Sequence, residues 1–517
     1  MNRRDFLRHS TMALAVAASF GMGSGTSFAA ATGGRTFYLD GEAGNDGAPG
    51  SNPQQAWRSI TKLNSVIFQP GDRIYFKRGS SFPGQFHPQG SGNASQPVVV
   101  DSYGSGALPH IHAYGKAQCS VYLHNVEYWT LRNLQVSNKG TQNQGNRAGV
   151  YVHHEDFGVA HGIVLDSLYV HDVNGSPIKK QGAGAGIMVN ATGKQRPSRY
   201  EGLQISNCSV INTQRNGIHF LAGGSREGGL GRNVIVRGNK IQQVPGDCIL
   251  IIGCDGALVE HNTVSNCTEL PPGEAAAGIW PFNSDNTLIQ YNEVSGHQAH
   301  ADGEAFDADL ACNHTVIQYN YSHDNIGGLA LICNMGNKNL GAGNTGTIVR
   351  YNVSINDSLR PSNSASVRIT GPVEGSTIFN NIFIIPRRPS GDAGTLFKAD
   401  NWQGVPNNTA IHDNIVFAEQ SPGVELGLAQ KNVLSRNTVM GPDAAAIHSM
   451  VSGLTAMPVP AANGANAQAE NLDTMLEKYR TFRPSLATVV HWAQTCFVNG
   501  KAIPNAYAVI ENTAQMS

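Results

Sequence analysis

Apolar residues along this chain recur in short phrases, not in the long 3.6-residue stripes of amphipathic helices. From Leu131 to Val439 an apolar run leads repeatedly to Asn and a further apolar residue: TLRNLQV (Asn133), LQISNCSV (Asn207), VIVRGNKI (Asn239), ALVEHNTV (Asn262), TLIQYNEV (Asn292), TVIQYNYS (Asn320), TIVRYNVS (Asn352), TIFNNIF (Asn381), AIHDNIV (Asn414) and VLSRNTV (Asn437). From Asn207 onward the intervals are 32, 23, 30, 28, 32, 29, 33 and 23 residues. A floor of 23 with variable additions describes a coil of constant size decorated by loops. Short β-rich phrases punctuated by Gly and Asn make that coil a β-solenoid. The asparagines themselves are expected to form a structural ladder, each amide bonded to the next rung.

A second phrase precedes these and alternates strictly. Its members are GVYVH (149), GIMVN (186), GIHFL (217), DCILI (247), GIWPF (278), AFDAD (305), GLALI (328), SVRIT (366) and TLFKA (395). Second and fourth positions are apolar throughout and are expected to point into the coil. Third and fifth positions then face outward on one sheet: His219/Leu221, Ile249/Ile251, Trp280/Phe282, Asp307/Asp309, Ala330/Ile332 and Arg368/Thr370, with Lys398 nearby.

The rung at 305 carries the chemistry. Asp302, Glu304, Asp307 and Asp309 fall within eight residues of a chain that is only 14% charged. Strands disfavour Asp, and two on one face repel, so Asp307 and Asp309 call for a functional explanation. Neighbouring rungs stand ~4.8 Å apart and same-face residues ~6.6 Å apart along a strand, which sets Trp280 and Phe282 beside the acids and Arg368 roughly 10 Å from Asp307. Carboxylates ~6.5–9.5 Å apart suit an inverting glycosidase, and their repulsion separates the two pKa values as acid and base roles require. Aromatic faces and charges along the same stripe suit a chain of sugars. Asp302, in ADG, reads first as a turn residue, and it and Glu304 stand in reserve. His323 and Asp324, on the turn after Asn320, are candidates for orienting groups reaching the acidic rung. His219, three rungs away, is a candidate subsite contact, as are Trp280, Phe282, Arg368 and Lys398. Pro281 lacks a ladder N–H, so a bulge or missing hydrogen bond is expected beside the acids.

Eight cysteines include no C-x-x-C, which leaves zinc and redox motifs unsupported. Cys312 and Cys333 fall near adjacent rungs and are the expected disulfide after export. A calcium site built from the carboxylates is the competing use of the acidic rung, without the EF-hand spacing.

The chain opens MNRRDFLRHS, with Arg3 and Arg4 before the apolar run TMALAVAASFGMG and small residues near position 30. That pattern is a twin-arginine-type export signal over 1–30, too short and too rich in Gly and Ser to span a bilayer. A periplasmic or extracellular protein follows, expected to be monomeric and free of the membrane once the signal is removed. A net charge of -1 and a pI near 7.0 give no electrostatic footing for nucleic acid.

The segment from Thr36 to Gly92 resembles the opening of bacterial right-handed parallel β-helix proteins that act on polysaccharides. The resemblance implies a short first strand, a capping helix at AWRSITKLNSVI and a first rung at PGDRIYFKRG; it covers Thr36 to about Val439 and concerns fold. The stretch ADGEAFDADLACNHTVIQYNYSHDNIGG is similar to the part of calcium-dependent β-helix pectate lyases that carries ADGF, a catalytic Lys and SDDG. Here Asp309 stands about where that Lys falls, which moves the expectation from elimination to hydrolysis.

The sequence therefore predicts an all-β protein, a right-handed parallel β-helix over 36–440 with an N-terminal capping helix and a C-terminal cover over 441–517. It is read as an exported glycoside hydrolase of a polysaccharide, with Asp307 and Asp309 as the acid/base pair and no cofactor required. The alternatives are a uronate lyase or epimerase, for which calcium is possible, and a glycan-binding solenoid without catalysis.

Overall fold

The computed structural model describes residues 34–517 except 222–225, 337–342, 361–363, 389–390, 393, 421, 428–430, 442–453, 457–471, 473, 504–505 and 514–517. The export signal expected over 1–30 lies outside the described residues. Short strands return coil after coil into three parallel sheets. The first runs from Thr36–Leu39 to Val433–Ser435, the second from Ser81–Pro83 to Leu454–Ala456, and the third from Cys119–His124 to Gly423–Glu425. Lateral pairing is in register from coil to coil, for example Val316↔Ile348↔Thr377 in the first sheet and Tyr321↔Val353↔Ile382 in the second. The inward side chains, among them Ile279, Phe306, Ala308, Ile317, Val349 and Val367, form one continuous dry core.

The asparagine phrase becomes a buried ladder. Asn239, Asn262, Asn292, Asn320, Asn352, Asn381, Asn414 and Asn437 pass a hydrogen bond from each Nδ2 to the next Oδ1, at 2.9, 2.9, 3.0, 3.0, 2.9, 2.9 and 2.8 Å. Each Oδ1 also takes the preceding asparagine's backbone N–H, as Asn320 does from Asn292 at 2.9 Å. The second amide hydrogen goes to a backbone carbonyl one coil back, for Asn320 that of Ile289 at 3.0 Å. The residue before every ladder asparagine has a positive φ, from Gly238 at 67° to Arg436 at 53°. At that corner His261, Tyr291, Tyr319 and Tyr351 stack outside the coil, with centroids 5.2, 5.4 and 5.2 Å apart.

Asn133 and Asn207 do not belong to this ladder. They occupy the left-handed corner itself, at φ 56° and 53°, and bond the half-buried side chains of Asp101 and Asp166. Cys208 holds the ladder position instead, its backbone N–H bonding Asn239 Oδ1 at 3.0 Å. Asparagine is favoured at both places for different reasons, by its tolerance of positive φ at the corner and its self-pairing amide inside.

The capping helix is shorter than its phrase, Ile60–Asn64, with Ser59 accepting from the Lys62 N–H and with Ile60 and Leu63 buried. Thr36–Leu39 is the first strand of its sheet and pairs laterally with Arg73–Lys77. At the other end, Leu472, Met475, Leu476 and Tyr479 and the helices Leu486–Thr495 and Ala506–Thr513 lie against Tyr321, Val353, Ile382 and Ile415 of the second sheet. The expected Cys312–Cys333 disulfide does not form. All eight cysteines are buried free thiols; Cys312 Sγ is 3.4 Å from the Pro281 carbonyl and Cys333 Sγ points to Asp309 instead.

Asn320→Ala strands the two Asn292 donors that meet Asn320 Oδ1, and at ~1–3 kcal/mol for each buried unsatisfied group it should cost about 2–6 kcal/mol. Asn207→Ala, in an exposed left-handed corner, should cost about 1 kcal/mol. Urea unfolding followed by circular dichroism measures both, and equal losses would remove the energetic distinction between ladder and corner.

Candidate active site

The third sheet carries a row of outward side chains. His219, Leu250 and Trp280 are lateral neighbours on successive rungs. Trp280 stands beside Asp307, one position beyond the pair Ile279↔Phe306. Asp307, Leu331, Arg368 and Lys398 continue the row. His219 is thus three rungs before Asp307 and Arg368 two rungs after, the spacing expected from the sequence. Two rungs are offset by one residue from that expectation: Leu250, Ile252, Leu331 and Cys333 face outward, while Ile249, Ile251, Ala330 and Ile332 enter the core. Both segments are apolar at every position, so lateral pairing with their neighbours decides their register. Beside Pro281 the lateral pairing thins to the single registered pair Ile279↔Phe306, and Pro281 O accepts the Asp309 N–H at 3.3 Å.

The row is recessed, which corrects the expectation of an exposed stripe. Asp307 and Glu304 are 4% and 1% exposed, whereas Asp302 and Asp309 are half-buried. Trp280 is buried against Leu250 and Ala277, with Lys179 Nζ 5.4 Å from its ring centroid and its Nε1–H unpartnered. Phe282 is half-buried between this cluster and Leu331.

The structure brings all four carboxylates together. Ligand atoms of Asp307, Asp309 and Cys333 lie within 4.8 Å of one another, closer than the ~6.5–9.5 Å of an inverting pair. Asp309 Oδ1 accepts the Leu310 N–H at 2.7 Å and the Cys333 thiol at 2.9 Å. Asp302 ends the short strand Ala301–Asp302 at φ 60°, and Arg360 Nη2 anchors its carbonyl at 2.9 Å. Burial, then the Asp309 charge, raises the pKa of Asp302; burial and Asp302 raise Glu304 to about 7. Asp307 is pushed well above the carboxylate range by burial and by all three neighbours, and burial raises Asp309 despite its two donors. Neither Glu304 oxygen has a partner on another residue, and Asp307 Oδ1 has none.

Arg368 and Lys398 share the face but are engaged. Arg368 Nε donates to Asp400 Oδ2 at 2.6 Å, and Lys398 Nζ lies 3.7 Å from Asp400 and 3.4 Å from Glu425. His219 is buried with Nδ1 2.8 Å from Asn216 Nδ2, and burial lowers its pKa to about 4. His323 and Asp324 do not reach the acids, because the strand Tyr321–His323 belongs to the second sheet. There His323 contacts Glu293, and Asp324 bonds His323 and Arg483 of the C-terminal segment. Proximity along the chain had suggested a reach that the coil's corner prevents.

Sequence reasoning passed over Asp247, Arg215, Arg360 and Lys179. Asp247 is fully buried with both oxygens unpartnered, 3.9 Å from the equally buried Arg215, and its charge raises both Asp302 and Asp309. It opens the rung phrase DCILI, where the other phrases carry Gly, Ala, Ser or Thr, and that was the available signal. The Asp307–Asp309–Cys333 group does not suit calcium, which takes six to eight oxygen ligands and no thiol.

Residues 185–347 match the family model described as right handed beta helix region, and the chain is a right-handed parallel β-helix. Beyond the fold, it is 26% identical over 499 residues to a lacto-N-biosidase of Bifidobacterium longum subsp. longum. That alignment covers 77% of this chain, which spans only 30% of the relative's length. A crystal structure of a GH136 lacto-N-biosidase from Eubacterium ramulus, as the selenomethionine derivative, superposes with a TM-score of 0.59 at 26% identity, covering 78% of this chain and 67% of that one. The native form of the same enzyme gives the same TM-score and identity.

Glu304 ties stability to pH. Its folded pKa of about 7 lies above the 4.5 of an unperturbed Glu, so the native state binds the extra proton in that window. Its contribution is fully present below about 4.5 and lost as pH rises through about 7. Unfolding free energy should fall across this range, and less steeply in Glu304→Gln; parallel profiles for the two proteins would contradict the assignment.

Proposed function

We propose that the protein is a glycoside hydrolase that cleaves a glycosidic bond of a glycan at the acidic rung. One observation carries the reading: four carboxylates with raised pKa values converge beside Trp280 on a rigid parallel sheet. Asp302 and Asp309 are the reacting pair, because they alone of the four keep contact with solvent. This replaces Asp307, enclosed behind them, as the partner of Asp309.

The roles follow from the hydrogen bonds. Asp309 accepts from the Leu310 N–H and the Cys333 thiol, donors that favour its ionised form against the effect of burial, and serves as nucleophile or base. Asp302, raised by burial and by the Asp309 charge, carries the proton that goes to the leaving oxygen. Asp307, pushed well above the carboxylate range, and Glu304, at about 7 and so part-protonated near neutrality, donate to substrate hydroxyls. Trp280 supplies an indole N–H and an apolar wall.

The similarity to lacto-N-biosidases at 26% identity supports hydrolysis over elimination. Two further features agree. The cations a lyase would need as base, Arg368 and Lys398, pair with Asp400 and Glu425, and a uronate would add negative charge to an already crowded acidic cluster. The substrate is therefore a neutral glycan. The Arg3–Arg4 opening supports export to the periplasm or beyond, and no helix of the described residues is long and apolar enough to cross a membrane.

Incubation with neutral and uronate oligosaccharides, reading reducing ends and ultraviolet absorbance together, should give reducing ends without absorbance. Asp302→Asn and Asp309→Asn should each lower kcat by ~10²–10⁴-fold with glycan affinity retained. A rise in absorbance would establish elimination, and glycan binding without turnover would establish a binding solenoid.

A further inference from the structure

A second cluster of chemistry-bearing groups lies inside the solenoid, apart from the acidic rung. Cys248 opens the third-sheet rung of one coil and Cys267 follows the second-sheet strand Thr263–Ser265 of the same coil. His297 follows the corresponding strand Glu293–Ser295 one coil later. All three are buried, and one donor atom from each lies within 4.8 Å of the other two.

The geometry of each donor is specific. The two Sγ atoms are 3.6 Å apart. Thiolates ~2.3 Å from one ion at a tetrahedral angle stand ~3.8 Å apart, whereas a disulfide needs ~2.05 Å. His297 Nε2 is 3.1 Å from the Gly246 carbonyl. A carbonyl only accepts, so Nε2 carries the proton and Nδ1 presents a lone pair. That Nδ1 is buried without a hydrogen-bond partner. A histidine whose other ring nitrogen donates to a backbone carbonyl is the arrangement that orients and polarises metal-bound imidazoles. Its backbone is fixed too, the His297 N–H bonding Asn325 Oδ1 at 2.9 Å. Two thiols packed as plain core fillers would explain their own burial but would leave the unpartnered Nδ1 unexplained.

We propose that Cys248, Cys267 and His297 bind one thiophilic d10 metal ion, zinc(II) or copper(I), inside the solenoid. Thiolate sulfur and imidazole nitrogen suit these ions and not calcium or magnesium. Binding forms two metal–sulfur bonds and one metal–nitrogen bond and releases the two thiol protons to solvent. With zinc(II) the set is neutral. With copper(I) it carries one negative charge, and the nearby fully buried Arg215, whose charge acts on His297, is already shared with Asp247 at 3.9 Å and Glu274 at 3.5 Å, which favours the neutral zinc(II) set. The ion would join one coil to the next from within, a structural role independent of the hydrolase reading.

The test uses the purified full-length chain, reduced, stripped with a chelator and titrated with cobalt(II) as a zinc surrogate and separately with copper(I). The expected result is one equivalent bound, thiolate-to-cobalt charge-transfer absorption, and a rise in Tm on loading. Cys267→Ser should abolish the absorption and the rise in Tm. Asp309→Asn should keep both, which separates this site from the Asp307–Asp309–Cys333 group. Elemental analysis of protein purified without chelator identifies the resident ion. Should Cys267→Ser fail to fold, the wild-type titration decides alone. No stoichiometric binding by the wild type, loss of binding in Asp309→Asn, or an intact mass two hydrogens short with both thiols blocked would each overturn the proposal, the last establishing a disulfide.

Discussion

From Asn239 to Asn437 the solenoid depends on satisfying the same buried amide once per coil. An asparagine inside a dry core is costly unless both hydrogens and the oxygen find partners, and a row of identical asparagines at rung spacing satisfies them all from its own members. The solution admits no slippage, since a shift of one residue would strand an amide in every affected coil. The ladder runs from Asn239 to Asn437, and the row from Trp280 through Asp307 to Lys398 lies on coils that it locks. Rigid support of this kind is what catalytic carboxylates need, because their separation and shared proton are sensitive to small displacements.

The acidic rung works against that stability. Two buried and two half-buried carboxylates crowd together, the other three raising the pKa of Asp307, and nearby cations are directed elsewhere, Arg368 to Asp400 and Arg360 to the carbonyls of Ala299 and Asp302. Arg360 positions the Asp302 backbone while acting only weakly on the carboxyl group. The result is a pocket that favours protonated carboxyls, the condition for one carboxyl to act as acid beside an ionised partner. Backbone hydrogen bonds in the surrounding coils tolerate the cost because each coil is held by its neighbours on both sides.

Much of this was legible in the sequence. The period of the asparagine phrase announced the solenoid, and strict alternation in GIHFL, GIWPF, AFDAD and SVRIT placed His219, Trp280, Asp307, Asp309 and Arg368 on one face in their observed order. Where alternation was lost, so was the register: DCILI and GLALI are apolar at both parities, and only pairing with adjacent coils chooses a face. Asn133 and Asn207 were misplaced because two unrelated physical demands favour the same residue at adjacent positions. Burial was the least legible property. The outward parity of Asp307 is a local fact, but its enclosure depends on segments far away in sequence, as does the separation of His323 and Asp324 from the acids by a corner of the coil.

The interval between ladder asparagines has a further consequence. It is 23 residues from Asn239 to Asn262 and again from Asn414 to Asn437, and 28 to 33 in the five coils between. Each of these five coils contributes the same ladder amide, so the surplus falls outside the ladder. Such a chain can gain or lose residues at these points without disturbing a single core contact, and a whole coil could be duplicated without changing the register of the rest. The molecule thus separates what must be inherited unchanged from what is free to vary.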